Sequence, residues 1–284
     1  FSSSGASSVL YGSSALSGVI NFITKYPTAP QQTKVRMYSG YYSAPQTAGA
    51  KWWNGIANYS GLNLSQAMRF ENFDVIFGGQ LLYDHGYIGP PVLNPNLQFP
   101  QDTISNKEVS DRSGRFDFNF RWRPGQVKGL SLGMNGNIMR QKSNFSLIWG
   151  DDSTNIYRAY PNTMRLTNNL ELYIDPFITY YTTSGLGHHL KTRYYTHIDE
   201  DPGVQRTASD VYYAEYQLSK EPTRITGLHF TLGALTNQSV THDSTYSGQG
   251  STVNRFHNYA AYVQLDKKFW DVLNLSLGFR GEYF

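Results

Sequence analysis

The run Arg115-Phe116-Asp117-Phe118-Asn119-Phe120-Arg121-Trp122-Arg123 puts an aromatic residue at every even position and a polar one at every odd position. Successive side chains of a strand point to opposite faces, so such a run buries one face and wets the other. A helix of the same sequence would spread its rings around the axis and bury none of them well. The period recurs in Leu273-Asn274-Leu275-Ser276-Leu277-Gly278-Phe279-Arg280 and in Tyr212-Tyr213-Ala214-Glu215-Tyr216-Gln217-Leu218-Ser219. Phe73, Val75, Phe77, Gly79, Leu81 and Tyr83 form another such face, as do Leu228, Phe230, Leu232 and Ala234. The pattern predicts about eleven strands, at roughly 33–42, 58–70, 72–84, 112–124, 128–142, 168–182, 187–198, 208–220, 226–238, 256–269 and 272–284. Many of them reach the ~9–11 residues that a tilted strand needs to cross a bilayer. Ordinary soluble strands average ~5–6.

The connectors alternate in length. Short ones fall at Glu71, Pro124–Val127, Thr183–Leu186, Glu221–Ile225 and near Trp270-Asp271; long ones fall at 43–57, 85–111, 143–167, 199–207 and 239–255. A soluble sandwich has no reason to keep every second connector short, whereas a membrane barrel with tight turns on one side and long loops on the other does. Composition agrees. Only 39 % of the 284 residues are apolar while 15 % are aromatic, which suits a wall one residue thick better than a filled core. No stretch of about 18 apolar residues offers a transmembrane helix. The net charge of +3 comes without a basic run, which argues against nucleic acid as a partner. The absence of cysteine excludes disulfides and thiolate zinc sites. The expected fold is therefore all-β, a transmembrane antiparallel β-barrel over residues 33–284. Phe116, Phe118, Phe120, Leu273, Leu275, Leu277, Tyr212 and Tyr216 are expected to face lipid. Asp117, Asn119, Asn274, Ser276, Tyr213 and Glu215 are expected to face the lumen.

Residues 5–25 are different in kind. Gly5-Ala6-Ser7-Ser8-Val9-Leu10-Tyr11-Gly12-Ser13-Ser14-Ala15-Leu16-Ser17-Gly18 reads as two short turns of small residues, each closed by a glycine. Val19-Ile20-Asn21-Phe22-Ile23-Thr24 then reads as a strand. The stretch resembles the end of the plug domain of TonB-dependent outer-membrane receptors, where a YGSxAxxGVINxxTK-like run occurs. Tyr11, Gly12, Ser13, Ala15, Gly18, Val19, Ile20, Asn21, Thr24 and Lys25 stand at the positions of that pattern. The resemblance implies the end of a plug at 1–27, a linker at 28–32 and the first half of a barrel at 33–284, eleven strands of a 22-stranded whole. An odd count with open edges, and an end within a predicted strand, carry the same expectation of a segment of a longer receptor.

By the same resemblance the protein imports a scarce nutrient of the siderophore, cobalamin, haem or peptide type across the outer membrane of a Gram-negative bacterium. It would do so by energy-coupled plug displacement. The implied partners are the TonB energy-coupling complex, through a segment not contained in these residues, a small nutrient ligand, outer-membrane lipid and a surface lipoprotein; no cofactor is implied. A passive porin-like or structural barrel explains 33–284 but leaves 5–25 unexplained.

No catalytic constellation stands out, and no enzyme is expected. His188 and His189 are neighbours on a strand and point to opposite faces, so they do not chelate one metal. Asp151, Asp152 and Asn155 in one long connector, and His197, Asp199, Glu200 and Asp201 in another, read as solvated turns rather than a metal site. Tyr41, Tyr83, Trp122, Tyr180 and Trp270, at strand ends, read as interfacial girdle residues. Trp52, Trp53, Trp149, Tyr157 and Tyr160 lie within long connectors. They either line a ligand site or pack the loops on one another. Arg115, Arg121, Arg193 and Glu215, on the lumen side, either hold the plug through ion pairs or meet the substrate.

Overall fold

The computed structural model describes residues 2–3, 9, 19–20, 26–47, 49–91, 104–105, 107–146, 148–149, 158–202, 205–222, 225–243, 252–270 and 272–284. Two short strands come first, β1 (Ser2–Ser3) and β2 (Val19–Ile20), paired antiparallel with Ser3 opposite Val19. Eleven long strands follow: β3 (Gln31–Tyr41), β4 (Asn58–Arg69), β5 (Phe73–Asp84), β6 (Asp111–Trp122), β7 (Leu130–Phe145), β8 (Arg165–Tyr181), β9 (Leu186–Asp201), β10 (Gln205–Lys220), β11 (Leu228–Asp243), β12 (Val253–Phe269) and β13 (Leu273–Tyr283). They form one antiparallel sheet in sequence order from β3 to β13, each strand paired with its chain neighbours. The sheet is open, with β3 and β13 as its edges. No helix contributes to it. The accessible surface is 18863 Å², against roughly 12,300 Å² for a compact monomer of this mass. This is a wall, not a filled core.

The two faces divide as the alternation predicts. Phe118 lies opposite Phe77 and Gly136 on one face, while Asp117 lies opposite Gly78 and Asn137 on the other. Phe116, Tyr212, Tyr216, Leu273, Leu275 and Leu277 are exposed on the apolar face. Asn119, Asn137, Glu215, Thr231 and Gln264 are buried on the polar one. Aromatic rings on both faces lie flat over a glycine of the next strand. A Cβ at Gly233 would overlap the Tyr262 ring, and one at Gly136 would overlap Phe118. The glycines are thus seats for rings, which links the aromatic content to the glycine content.

The short connectors share a sequence signature. Pro124-Gly125-Gln126-Val127-Lys128-Gly129-Leu130 and Pro222-Thr223-Arg224-Ile225-Thr226-Gly227-Leu228 follow one Pro-x-x-β-branched-x-Gly-Leu pattern. In each, two successive turns are closed by hydrogen bonds, Val127 N to Pro124 O and Leu130 N to Val127 O, and Ile225 N to Pro222 O and Leu228 N to Ile225 O. Gly129 sits at φ 83° with its backbone against Tyr181 O, where a side chain would clash.

One expectation is corrected here. Residues 199–207 are not a long connector: β9 and β10 extend to Asp201 and from Gln205, leaving three residues, 202–204, between them. The connectors at 143–167 and 239–255 also shrink, to 146–164 and 244–252. Past the apolar band outward side chains such as Thr236 and Gln238 are polar, so the alternation stops while the backbone ladder continues. Segments such as Thr236-Asn237-Gln238-Ser239-Val240-Thr241-His242 are strand for that reason.

Candidate functional site

Two regions carry the side chains of interest, the cluster built by the long connectors and the polar face of the sheet. Connectors 42–57, 85–110 and 146–164 form a small apolar core of Trp52, Trp53, Ala57, Val109, Ala159 and Met164, with Tyr42 and Ile104 against it. Trp52 stacks on His85 with ring centroids 5.0 Å apart and meets Trp53 edge-on at 5.9 Å. Its indole N–H donates to Tyr87 O at 3.0 Å. The Tyr42 hydroxyl donates to the Asp84 carboxylate at 2.9 Å, and Gly86 N donates to the same group at 2.8 Å. This bond and the burial of the phenol push the Tyr42 pKa up to about 12. Arg158 Nε donates to Pro90 O at 2.6 Å, bringing connectors 85–110 and 146–164 together. Burial pushes the Arg158 guanidinium down from its usual range.

The aromatic residues singled out from the sequence therefore separate. Trp52 and Trp53 are 8 % and 5 % exposed and pack the loops on one another. Trp149 is 40 % exposed and is held by a bridge to Ala159. Tyr160 is half-buried, its amide donating to Ile148 O at 2.8 Å. Tyr157 lies outside the described residues, as do Asp151, Asp152 and Asn155. Tyr42, His85, Tyr87 and Arg158 complete the cluster and carry no periodic signal. The Gly-Pro-Pro run at 89–91 is a local sign of a fixed backbone at the start of connector 85–110.

On the polar face, Asp74 is 1 % exposed and accepts from three arginines. Arg69 Nε lies 2.9 Å from Oδ1 and Arg121 Nη2 lies 2.5 Å from Oδ2; Arg123 Nη1 also reaches Oδ2. The Arg121 guanidinium sits 3.3 Å from the centroid of the Tyr26 ring. Burial raises the Tyr26 phenol pKa against the pull of Arg121. The chain entering β3 is thus pinned to the inner face of β5 and β6, beside the short connectors. A second anchor lies at the other edge of the sheet. Arg280 Nη1 donates to Val9 O at 3.1 Å, and the Val9 side chain packs over Gly278.

Between these anchors, Arg193 pairs with Asp175 at 2.5 Å and Glu215 accepts from the Tyr262 hydroxyl at 2.6 Å, with Lys191 3.8 Å away. Arg115 meets Met139 Sδ at 3.1 Å. His188 faces outward to Tyr216 and His189 inward to Ser219, at 2.7 and 3.1 Å. His197, Asp199, Glu200 and Asp201 belong to β9 rather than to a loop, and Asp201 pairs with Arg165. Of the plug-like positions, Val19 belongs to β2, while Tyr11, Gly12, Ser13, Ala15, Gly18 and Asn21 lie outside the described residues. Trp270 and Tyr41 are strongly exposed at strand ends, and Tyr83 packs under Arg112.

No protein-family model matches the sequence, and comparison with curated proteins gives no match. Solved structures do match. The siderophore receptor PirA of Pseudomonas aeruginosa aligns with a TM-score of 0.69 at 14% identity, over 99% of this chain and 42% of that one. The G324V mutant of the ferric enterobactin receptor PfeA from the same organism aligns with a TM-score of 0.66 at 14% identity, over 96% of this chain and 42% of that one. These neighbours are receptors, not enzymes, and the chain spans about 42% of their length. The open sheet of this chain has the fold of part of the β-barrel of the siderophore receptors, the architecture that its likeness to TonB-dependent receptors implies.

Proposed function

We propose that these residues are the plug end (1–27), linker (28–32) and first barrel half (33–284) of a TonB-dependent outer-membrane receptor that imports a scarce nutrient. The siderophore type leads, because the structural neighbours are siderophore receptors. The observation that carries the reading is the N-terminal segment held at two points on the polar face of a lipid-facing sheet, by Arg280 at Val9 and by Arg121 at Tyr26. Anchors at Val9 and Tyr26 on the polar face make a passive pore an unsuitable device, since ligand must wait for the anchored segment to move. Ligand binds first at the long-connector rim, where exposed Trp149, with half-buried Tyr160, offers aromatic surface to a bulky complex; Tyr157 of the same connector is a further candidate from the sequence. Trp52 and Trp53 support that rim from beneath. The test uses the full-length protein in cells with and without a working TonB system. Surface binding is expected in both and accumulation only with TonB; accumulation that persists without TonB would assign a passive channel instead.

A further inference from the structure

The outer face of the sheet carries a group of three cations at its long-connector end. Arg112 lies directly opposite Lys142 in the β6–β7 ladder, and Arg140 lies two residues along β7, opposite Gly114. They share the face of Phe116 and Ile138, which is the lipid-facing one. Like charges directly opposite each other on a sheet repel, so the arrangement is unfavourable until an anion joins it. Among the described residues none of the three forms a salt bridge. The carboxylates near them are engaged otherwise or lie to the side. Glu108, which feels Lys142, accepts from Ser105 N at 2.6 Å, and Glu200, beyond Asn168 in the same cross-strand row, lies opposite Arg206. The Arg112 guanidinium rests on the Tyr83 ring at 5.5 Å, which fixes its direction and leaves its N–H edge open. A cleft of about 290 Å³ opens among Leu81, Gly114, Arg112, Arg140, Lys142 and Asn168. Its floor is apolar where Gly114 has no side chain and Leu81 approaches.

We propose that this cleft binds a phosphate-bearing lipid headgroup of the outer leaflet, the phosphate held by Arg112, Arg140 and Lys142 and the acyl chains lying on Leu81 and Ile138. The inference rests on the outer-membrane reading above. The apolar band ends at this height, so an amphiphile whose chains lie on the band has its headgroup among the cations. Basic residues at a membrane surface attract anionic headgroups additively, so three of them give a selective site. Free phosphate has the charge but no use for the apolar floor.

The test titrates the full-length protein in detergent with bis-phosphorylated lipid A, dephosphorylated lipid A and inorganic phosphate, read by native mass spectrometry. Wild type is expected to retain the bis-phosphorylated lipid, with retention falling as salt rises. The triple variant R112Q/R140Q/K142Q is expected to bind it about 10- to 100-fold less tightly. Dephosphorylated lipid A is expected to bind both proteins equally weakly. Equal retention by the triple variant, equal binding of the dephosphorylated lipid, or displacement by millimolar phosphate would each overturn the proposal. If the triple variant does not fold, the charge-preserving R112K/R140K should keep retention and K142E should lower it, each scored on heat-modifiable folded protein. The titration needs neither TonB nor uptake. Membrane fractionation reports separately on the outer-membrane reading, so the two fail independently.

Discussion

Asp74 holds three guanidiniums with one carboxylate, so its removal leaves positive charges facing one another on the inner wall. Asp74→Ala is expected to cost about 3 kcal/mol, the lower end for a broken buried pair, because the three arginines are 21–40% exposed and partly screened. The loss should be local. Amide exchange should rise at 26–30 and at the ends of β5 and β6, and an unchanged exchange pattern there would show that the cluster does not hold the segment. Tyr42 gives the pH-dependent case. Its phenol is raised to about 12 in the fold by burial and by donation to Asp84, against a value near 10 in an unfolded chain. A raised pKa means that the contribution is complete below pH ~10 and is lost as pH rises through ~12. Tyr42→Phe should therefore weaken the loop cluster at neutral pH and remove its loosening between those pH values, followed by Trp52 and Trp53 fluorescence. A Phe variant with the same alkaline transition would place the titration elsewhere.

The strands obey a rule in which face matters more than residue type. Leu232, exposed on the apolar face opposite Leu218 and Val263, should tolerate arginine badly, at about 2–4 kcal/mol if it lies near the bilayer midplane. Ser131→Arg, on the polar face opposite Thr179, should cost far less. Equal costs in reversible folding into bilayers would reverse the facing assignment. This face rule was legible at once in Arg115–Arg123, because the sheet period is two and every second residue there is a ring. All eleven strands and their order were legible for the same reason. Their outer ends were not: past the apolar band both faces carry polar residues, and Asn168 or Gln238 need not be apolar to remain in the ladder. The loop core was only half legible. Trp52 and Trp53 marked it, but sequence could not choose between ligand surface and packing, which depends on contacts with Val109 and Met164 more than fifty residues away. Asp74 gave no signal either, since its partner Arg121 is on another strand and Arg123 lies just past that strand's end.

For the whole molecule, the proposed import raises the question of which part of the N-terminal segment would move as ligand passes. Tyr26 lies only five residues before β3, so its end is tethered by the wall itself. Val9 lies 22 residues before β3 and, among the described residues, is held to β13 by Arg280 and the seat at Gly278. Plug displacement should therefore release the Val9 contact and keep the Tyr26 contact. The geometry offers a direct lock, because a Cβ built at Gly278 would lie 3.1 Å from the Val9 Cβ, close to the ~3.5–4.5 Å of a disulfide. These 284 residues contain no cysteine to compete with the engineered pair. In the full-length protein, Val9→Cys with Gly278→Cys is expected to leave surface binding intact and to abolish accumulation when oxidised, with recovery on reduction. Each single cysteine should transport normally under both conditions, which separates the cross-link from any damage at Gly278. The Tyr26→Cys, Arg121→Cys pair, joined by a bifunctional maleimide that spans the space filled by the ring and the guanidinium, should transport as the unlinked pair does, since that contact is expected to persist throughout. Full accumulation by the oxidised Val9–Gly278 pair would mean that ligand passes without this part of the segment leaving the wall, and the moving element would have to be sought elsewhere.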